Sequence, residues 1–173
     1  KIAKQRYKEL SVTDFLTQIY NRRHFMDLFN LEFARSRRYG LDLSLIIMDI
    51  DNFKQINDTY GHLQGDKVLR EISAIIKTAI RTNDTFARYG GEEFVLMLPQ
   101  TNLDGSVLVA EKIRQKIEEK NFEGPGTITL SLGVACFPCP DIDDQESLIK
   151  AADNALYEAK GRGKNCVVAA ERR

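Results

Sequence analysis

Residues 43–50, Leu-Ser-Leu-Ile-Ile-Met-Asp-Ile, are almost continuously apolar and then stop on acids, Asp49 and Asp51. A strand apolar on both alternating faces has no side to turn to water, so it predicts a central strand covered on each face. The covers are legible as helical periods. After Asn21, Phe25, Leu28, Phe29 and Phe33 recur at three or four residues until Gly40. Val68, Leu69, Ile72, Ile75, Ile76, Ala79 and Ile80 predict a helix over about residues 65–81. Val109, Ala110, Ile113 and Ile117 predict one over 104–120, and Leu148, Ala152, Ala155 and Ala159 mark another. Between them, residues 85–98 read as a hairpin with Gly90-Gly91 at its tip. A strand over 127–137 follows Gly124-Pro125-Gly126, and Val167–Ala170 closes the pattern. The order helix, strand, helix, hairpin, helix, strand, helix, strand predicts an α/β (α+β) domain with a mostly antiparallel central sheet covered by helices.

Composition narrows the partners. Twenty-five basic residues balance twenty-five acidic ones, so no global basic field exists to collect nucleic acid, and phosphate must be met locally. No apolar run approaches the roughly 18 residues of a membrane span. Three cysteines are an odd number and suit a reducing, cytoplasmic setting. Cys136 and Cys139 form a C-x-x-C, but His24 and His62 lack ligand-pair spacing for zinc, and Cys136 ends a strand-like run rather than opening a helix. Lys1–Leu10 is charged, with Ala3, Tyr7 and Leu10 at heptad-like spacing. We expect residues 1–12 to end a linker helix and 13–173 to form one domain, part of a larger protein that a membrane anchor elsewhere can hold.

Alternation places Asp49 and Asp51 on one side of the chain at the end of the buried strand. Gly90-Gly91-Glu92-Glu93 places two more carboxylates at a hairpin tip, where glycine permits positive φ and close approach of a ligand. Each segment alone also reads as an ordinary strand end or turn. Gathered at neighbouring strand ends, the four acids would make a hard oxygen site for Mg²⁺, which binds through one or two carboxylates plus substrate phosphates. That chemistry is phosphoryl transfer.

Several motifs stand in order: Asp14-Phe15-Leu16-Thr17, Asn21-Arg22-Arg23, Asp49-Ile50-Asp51-Asn52-Phe53-Lys54, Asn57-Asp58, Gly61-His62, Gly65-Asp66, Gly90-Gly91-Glu92-Glu93-Phe94, Ser131-Leu132-Gly133-Val134 and Ala152-Asp153-Asn154-Ala155-Leu156-Tyr157. On these the chain resembles the GGDEF family of diguanylate cyclases along nearly its whole length. The resemblance implies a fold like the nucleotide polymerase palm and the adenylyl cyclase catalytic domain, and condensation of two GTP into cyclic di-GMP. It implies that Asp49, the Ile50 carbonyl and Glu92 hold Mg²⁺, or Mn²⁺ in its place. Glu92 would accept the proton of the attacking 3′-hydroxyl, Glu93 would support it, and Lys54 would stabilise charge on the phosphoryl oxygens. Asn57 and Asp66 match the guanine readers, since a carboxylate accepts from guanine N1 and N2 where adenine offers no such donors. Asp66 also reads as a helix N-cap after Gly65. Phe53, Leu16 and Leu69 would wall the base, or be ordinary core. Lys160 and Lys164 occupy phosphate-binding positions.

Two positions depart from the family. Lys164 stands where Arg is usual before Asn165, replacing a bidentate fork with a point charge, with Arg162 available to share the load. Gln18 stands where Gly is usual, which tightens the demand on the turn before Asn21. Arg81-Thr82-Asn83-Asp84 matches the family's R-x-x-D inhibitory site for cyclic di-GMP, helped by Lys112 or Arg114, and equally reads as a helix end with its turn. The expected partners are GTP, cyclic di-GMP, a second copy of the domain and an upstream sensory or receiver domain. The rival reading is an inactive module that only binds GTP or cyclic di-GMP; the retained acids and Lys54 speak against it.

Overall fold

The structure, a computed structural model, describes residues 12–170, so the expected linker helix lies almost wholly outside it. In chain order the elements are β1 (Tyr20–Asn21), α1 (Arg22–Tyr39), β2 (Leu43–Ile50), α2 (Phe53–Tyr60), α3 (His62–Lys77), β3 (Thr85–Arg88), β4 (Glu93–Pro99), α4 (Leu103–Glu119), β5 (Asn121–Phe122), β6 (Gly126–Thr127), β7 (Leu130–Phe137), α5 (Gln145–Gly161) and β8 (Val167–Ala169). Among the described residues, one sheet of six strands runs β1-β3-β4-β2-β7-β8, and β5 and β6 form a separate ribbon. The inner pairings are antiparallel, while β1 with β3 and β7 with β8 are parallel.

Every residue of β2 is buried, as its sequence requires. Ile46, Met48 and Ile50 face one cluster with Val68, Leu69 and Ile72 of α3 and Ile113 and Ile117 of α4. Leu43, Leu45 and Ile47 face the other, with Phe25, Phe29 and Phe33 of α1 and Leu156 of α5. The α5 helix lies so close to the sheet that a Cβ on Gly133 would come within 2.2 Å of both the Ala152 carbonyl and the Leu156 nitrogen. Cys136 is the next-to-last residue of β7, close to where the sequence reading put the strand's end, and no disulfide joins the cysteines among the described residues. Among the described residues no helix is long and apolar enough to cross a membrane.

The differences from the sequence reading cluster around the strand ends. Residues 53–60 form a helix that periodicity misses, because only Phe53 and Ile56 bury in its eight residues. The helix expected from residue 65 begins at His62, so Asp66 lies in its second turn and is no N-cap; Gly61 takes that position. The strand expected over 127–137 splits, with Gly126–Thr127 pairing to Asn121–Phe122 and the sheet strand starting at Leu130.

Candidate active site

The acids meet where β2 and β4 end. Asp49 pairs in register with Glu93, and the Ile50 N–H donates to the Glu92 carbonyl at 3.3 Å. From α5, Lys160 Nζ reaches Asp49 Oδ2 at 3.1 Å. Asp49 is only 7% exposed, and its carboxyl is pushed up to about 6. Burial is the main cause; Lys160 opposes it, while Glu92 and Glu93 add to it. Asp49 is thus a buried carboxylate with Lys160 as a cationic partner and two further acids, Glu92 and Glu93, acting on it.

The fourth acid has other work. Asp51 accepts from Ser131 Oγ at 2.6 Å, Thr129 Oγ1 at 2.7 Å and the Asn165 N–H at 3.0 Å. Its carboxylate is satisfied as a structural tie between β2, β7 and the segment after α5, which corrects the expected cluster of four. Among the described residues no three acids, cysteines or histidines converge into a ready-made metal cage. Asp49, the Ile50 carbonyl and Glu92 remain a small hard-oxygen set of the kind a divalent ion shares with phosphates.

The hairpin tip differs in its backbone from expectation. Neither Gly90 nor Gly91 uses the left-handed region. The Glu93 carboxylate folds back over Gly90, where a Cβ would lie 2.9 Å from Glu93 Oε2 and would push that side chain aside. The clamp on this tip is Arg88, which sequence reasoning passed over. Its guanidinium donates to Asp14 Oδ1 at 3.2 Å and Oδ2 at 3.4 Å, to the Gly90 carbonyl at 3.2 Å, and to the Gly91 carbonyl at 3.1 and 2.7 Å. The signal was an arginine two residues before the glycines and an aspartate opening the first motif. Thr17 holds Asp14 from the other side through its N–H and hydroxyl, at 2.9 and 2.7 Å. The same turn puts Gln18 at φ 58°, the left-handed region that explains why glycine suits that position, and Gln18 Nε2 closes it on the Phe15 carbonyl at 2.8 Å.

A second cluster lies between α2 and α3. A Cβ on Gly65 would sit 1.8 Å from Asn57 Oδ1 and 3.3 Å from Phe53 Cζ. Gly65 thus lets α3 close on the Asn57 side chain, with half-buried Asp66 following it. Phe53, Leu69 and half-buried Leu16 belong to one apolar cluster. Lys54 is exposed at the start of α2. Lys164 Nζ lies 2.6 Å from Asn52 Oδ1, while Arg162 is paired with Glu158 on its own helix.

Farther off, the Arg81 N–H donates to Asp84 Oδ2 at 2.7 Å, closing the turn after α3. Burial raises the Asp84 carboxyl against the opposing Arg81 contacts. Arg114 is committed elsewhere, donating to Glu111, Glu118 and Asn165, so it does not stand as the helper once expected for this turn.

A family profile described as "Diguanylate cyclase, GGDEF domain" matches residues 11–166. The chain is 41% identical over 165 residues to "Diguanylate cyclase A" of Treponema denticola, covering 92% of this chain and 44% of that protein, so it spans under half the relative's length. It superposes with TM-score 0.86 at 36% identity on the GGDEF domain of DgcB from Caulobacter crescentus in complex with c-di-GMP, covering 92% of this chain and 93% of that one. A TM-score of 0.85, also at 36% identity, relates it to the active GGEEF domain of a diguanylate cyclase from Vibrio cholerae, covering 90% of this chain and 100% of that one.

Proposed function

The chain belongs to the GGDEF family of diguanylate cyclase domains, and from that premise we propose that it condenses two GTP into cyclic di-GMP with release of two pyrophosphates. The observation that carries the reading is the junction of Asp49, Ile50 and Glu92 with Lys160 reaching in from α5. The donor set fits a hard divalent ion, because its donors are oxygens and buried Asp49 shares Lys160 with the charges of Glu92 and Glu93. Asp49, the Ile50 carbonyl and Glu92 would hold Mg²⁺, or Mn²⁺ in its place, which when bound would neutralise charge on the triphosphate.

The remaining roles fall to the chain's own groups. Glu92 accepts the 3′-hydroxyl proton, Glu93 supports it, and Lys54 offsets charge on the transferred phosphoryl oxygens. Asn57 and Asp66 read guanine beside Phe53, Leu16 and Leu69, while Lys160 and Lys164 meet the phosphates. One domain binds one GTP while the product joins two, so two domains face each other and place each 3′-hydroxyl in line with the other's α-phosphate. Cyclic di-GMP at Arg81 and Asp84 inhibits from outside the acid cluster; the c-di-GMP complex of the DgcB domain supports binding of the product. The domain works in the cytoplasm, where GTP is supplied, under an upstream sensory or receiver domain.

The test is turnover of GTP with Mg²⁺ by the purified domain, scored for cyclic di-GMP. We expect product from the wild type and none from Glu92→Gln, whose fold should persist because a hairpin-tip carboxylate adds little to the core. Tight GTP binding without turnover would leave a binding module instead.

A further inference from the structure

The segment after α5 carries the most unusual backbone among the described residues. Gly163, Lys164 and Asn165 follow one another at φ 109°, 66° and 47°. A non-glycine residue in the left-handed region costs on the order of 1–2 kcal/mol, so such a run persists only where its surroundings over-determine it. The surroundings here are a polar network built on Asn165. Its Oδ1 accepts from Arg114 Nη1 at 2.8 Å, its Nδ2 donates to Glu118 Oε1 at 2.7 Å, and its backbone N–H donates to Asp51 Oδ2 at 3.0 Å. Arg114, only 14% exposed, is in turn braced by Glu111 at 3.0 Å and Glu118 at 2.6 Å. Asp51 is tied to Thr129 and Ser131. The network thus joins α4, the end of β2 and the start of β7 to one loop.

The roles proposed above do not use Arg114, Glu118 or Asn165, yet Lys164 lies inside the network's loop and Lys160 adjoins it, its carbonyl accepting from the Gly163 N–H at 3.4 Å. Lys164 is the immediate neighbour of Asn165, with its Nζ on Asn52, and Lys160 lies in the last turn of α5 with its Nζ on Asp49. A lysine is a point charge on a flexible stem, so its aim depends on where the backbone holds it.

The geometry points to Asn165 as a positioning residue that, clamped by Arg114 and Glu118, locks the left-handed Gly163–Asn165 segment and so aims Lys164 and Lys160 at the nucleotide's phosphates. The residue type fits: a carboxamide accepts from Arg114 through Oδ1 while donating to Glu118 through Nδ2, and asparagine tolerates the left-handed region. An aspartate would face Glu118 and Asp51 as a like charge. The inference rests on the reading of this site as one that binds GTP.

The experiment separates phosphate from base. Affinity for a GTP analogue with CH₂ in place of the α,β-bridging oxygen is measured by calorimetry with Mg²⁺, and affinity for guanosine by competition, for wild type, Asn165→Ala, Asn165→Gly and Arg114→Gln. We expect all three variants to bind the analogue about tenfold more weakly, equivalent to ~1.4 kcal/mol, with guanosine affinity unchanged. Asn165→Gly is the sharpest arm, since glycine relieves the backbone strain but lacks the amide. Wild-type affinity in that variant would show that the side-chain clamp is dispensable and overturn the inference. Parallel loss of guanosine binding would reduce Asn165 to a structural role and overturn it too. A wild-type domain that does not bind the analogue would overturn the nucleotide reading itself, and the inference with it.

Discussion

Arg88→Ala removes one guanidinium that holds two loops together. Arg88 and Asp14 are 19% and 21% exposed, between a surface pair worth about 0–1 kcal/mol and a buried pair whose breakage costs roughly 3–5 kcal/mol. Asp14 keeps its two bonds from Thr17, and the freed Gly90 and Gly91 carbonyls return to water, so no charge is left buried and orphaned. The expected loss is therefore about 2 kcal/mol, or a fall in melting temperature of about 4–8 °C for a domain of this size. Cyclic di-GMP synthesis should fall further, by roughly tenfold, because a loosened tip no longer holds Glu92 in place. Thermal unfolding of Arg88→Ala, Asp14→Asn and the double variant gives the coupling, expected at about 1 kcal/mol. Acid titration offers an independent check. Burial alone would raise the Asp14 carboxyl, but its bonds to Thr17 and the charge and bond of Arg88 outweigh that and hold it below its usual value of 3.8. The unfolded chain then binds this proton more readily, so the stabilisation is complete above pH 3.8 and disappears as pH falls through the lower folded value. Arg88→Ala should shrink that acid-sensitive component. Unchanged melting with zero coupling would refute the argument and reduce the clamp to a surface pair.

Three further outcomes follow from close contacts and from the turn after α3. Gly133→Ala should destabilise by more than about 3 kcal/mol, because the new methyl meets backbone atoms of α5 that cannot swing aside; denaturant unfolding reads this directly. Gly65→Ala should behave oppositely: alanine gains up to about 1 kcal/mol in a helix interior, but its methyl displaces Asn57, so melting should hold while GTP binding by calorimetry weakens. Arg81→Ala should relieve inhibition by cyclic di-GMP without changing synthesis at low product; equal inhibition in product-titrated assays would leave Arg81 and Asp84 as a helix end with its turn.

The layers, the hairpin and the position of the acids were legible because each is written in local periodicity. Continuous apolarity in residues 43–50 demands cover on both faces, and the helical stripes of α1, α3, α4 and α5 supply it. Acids that end a buried strand and tip a hairpin arrive at neighbouring strand ends once β2 pairs with β4, a pairing that the sheet and not the local pattern decides. The short helix α2 escaped because two buried anchors in eight residues make no period. Which of the two strand-end acids is bound up in the fold was a different matter, since only the family resemblance, and no local period, singled out Asp49. Asp49 and Asp51 are equivalent by alternation; what separates them is that Lys160 meets one while Ser131, Thr129 and Asn165 meet the other. Arg88 on Asp14 and Asn165 on Arg114 likewise join residues far apart in the chain. Hydrogen bonds depend on direction and on distances of a few tenths of an ångström, and no local period carries that information. Only the packed sheet, with α4 and α5 seated against it, brings those donors and acceptors together.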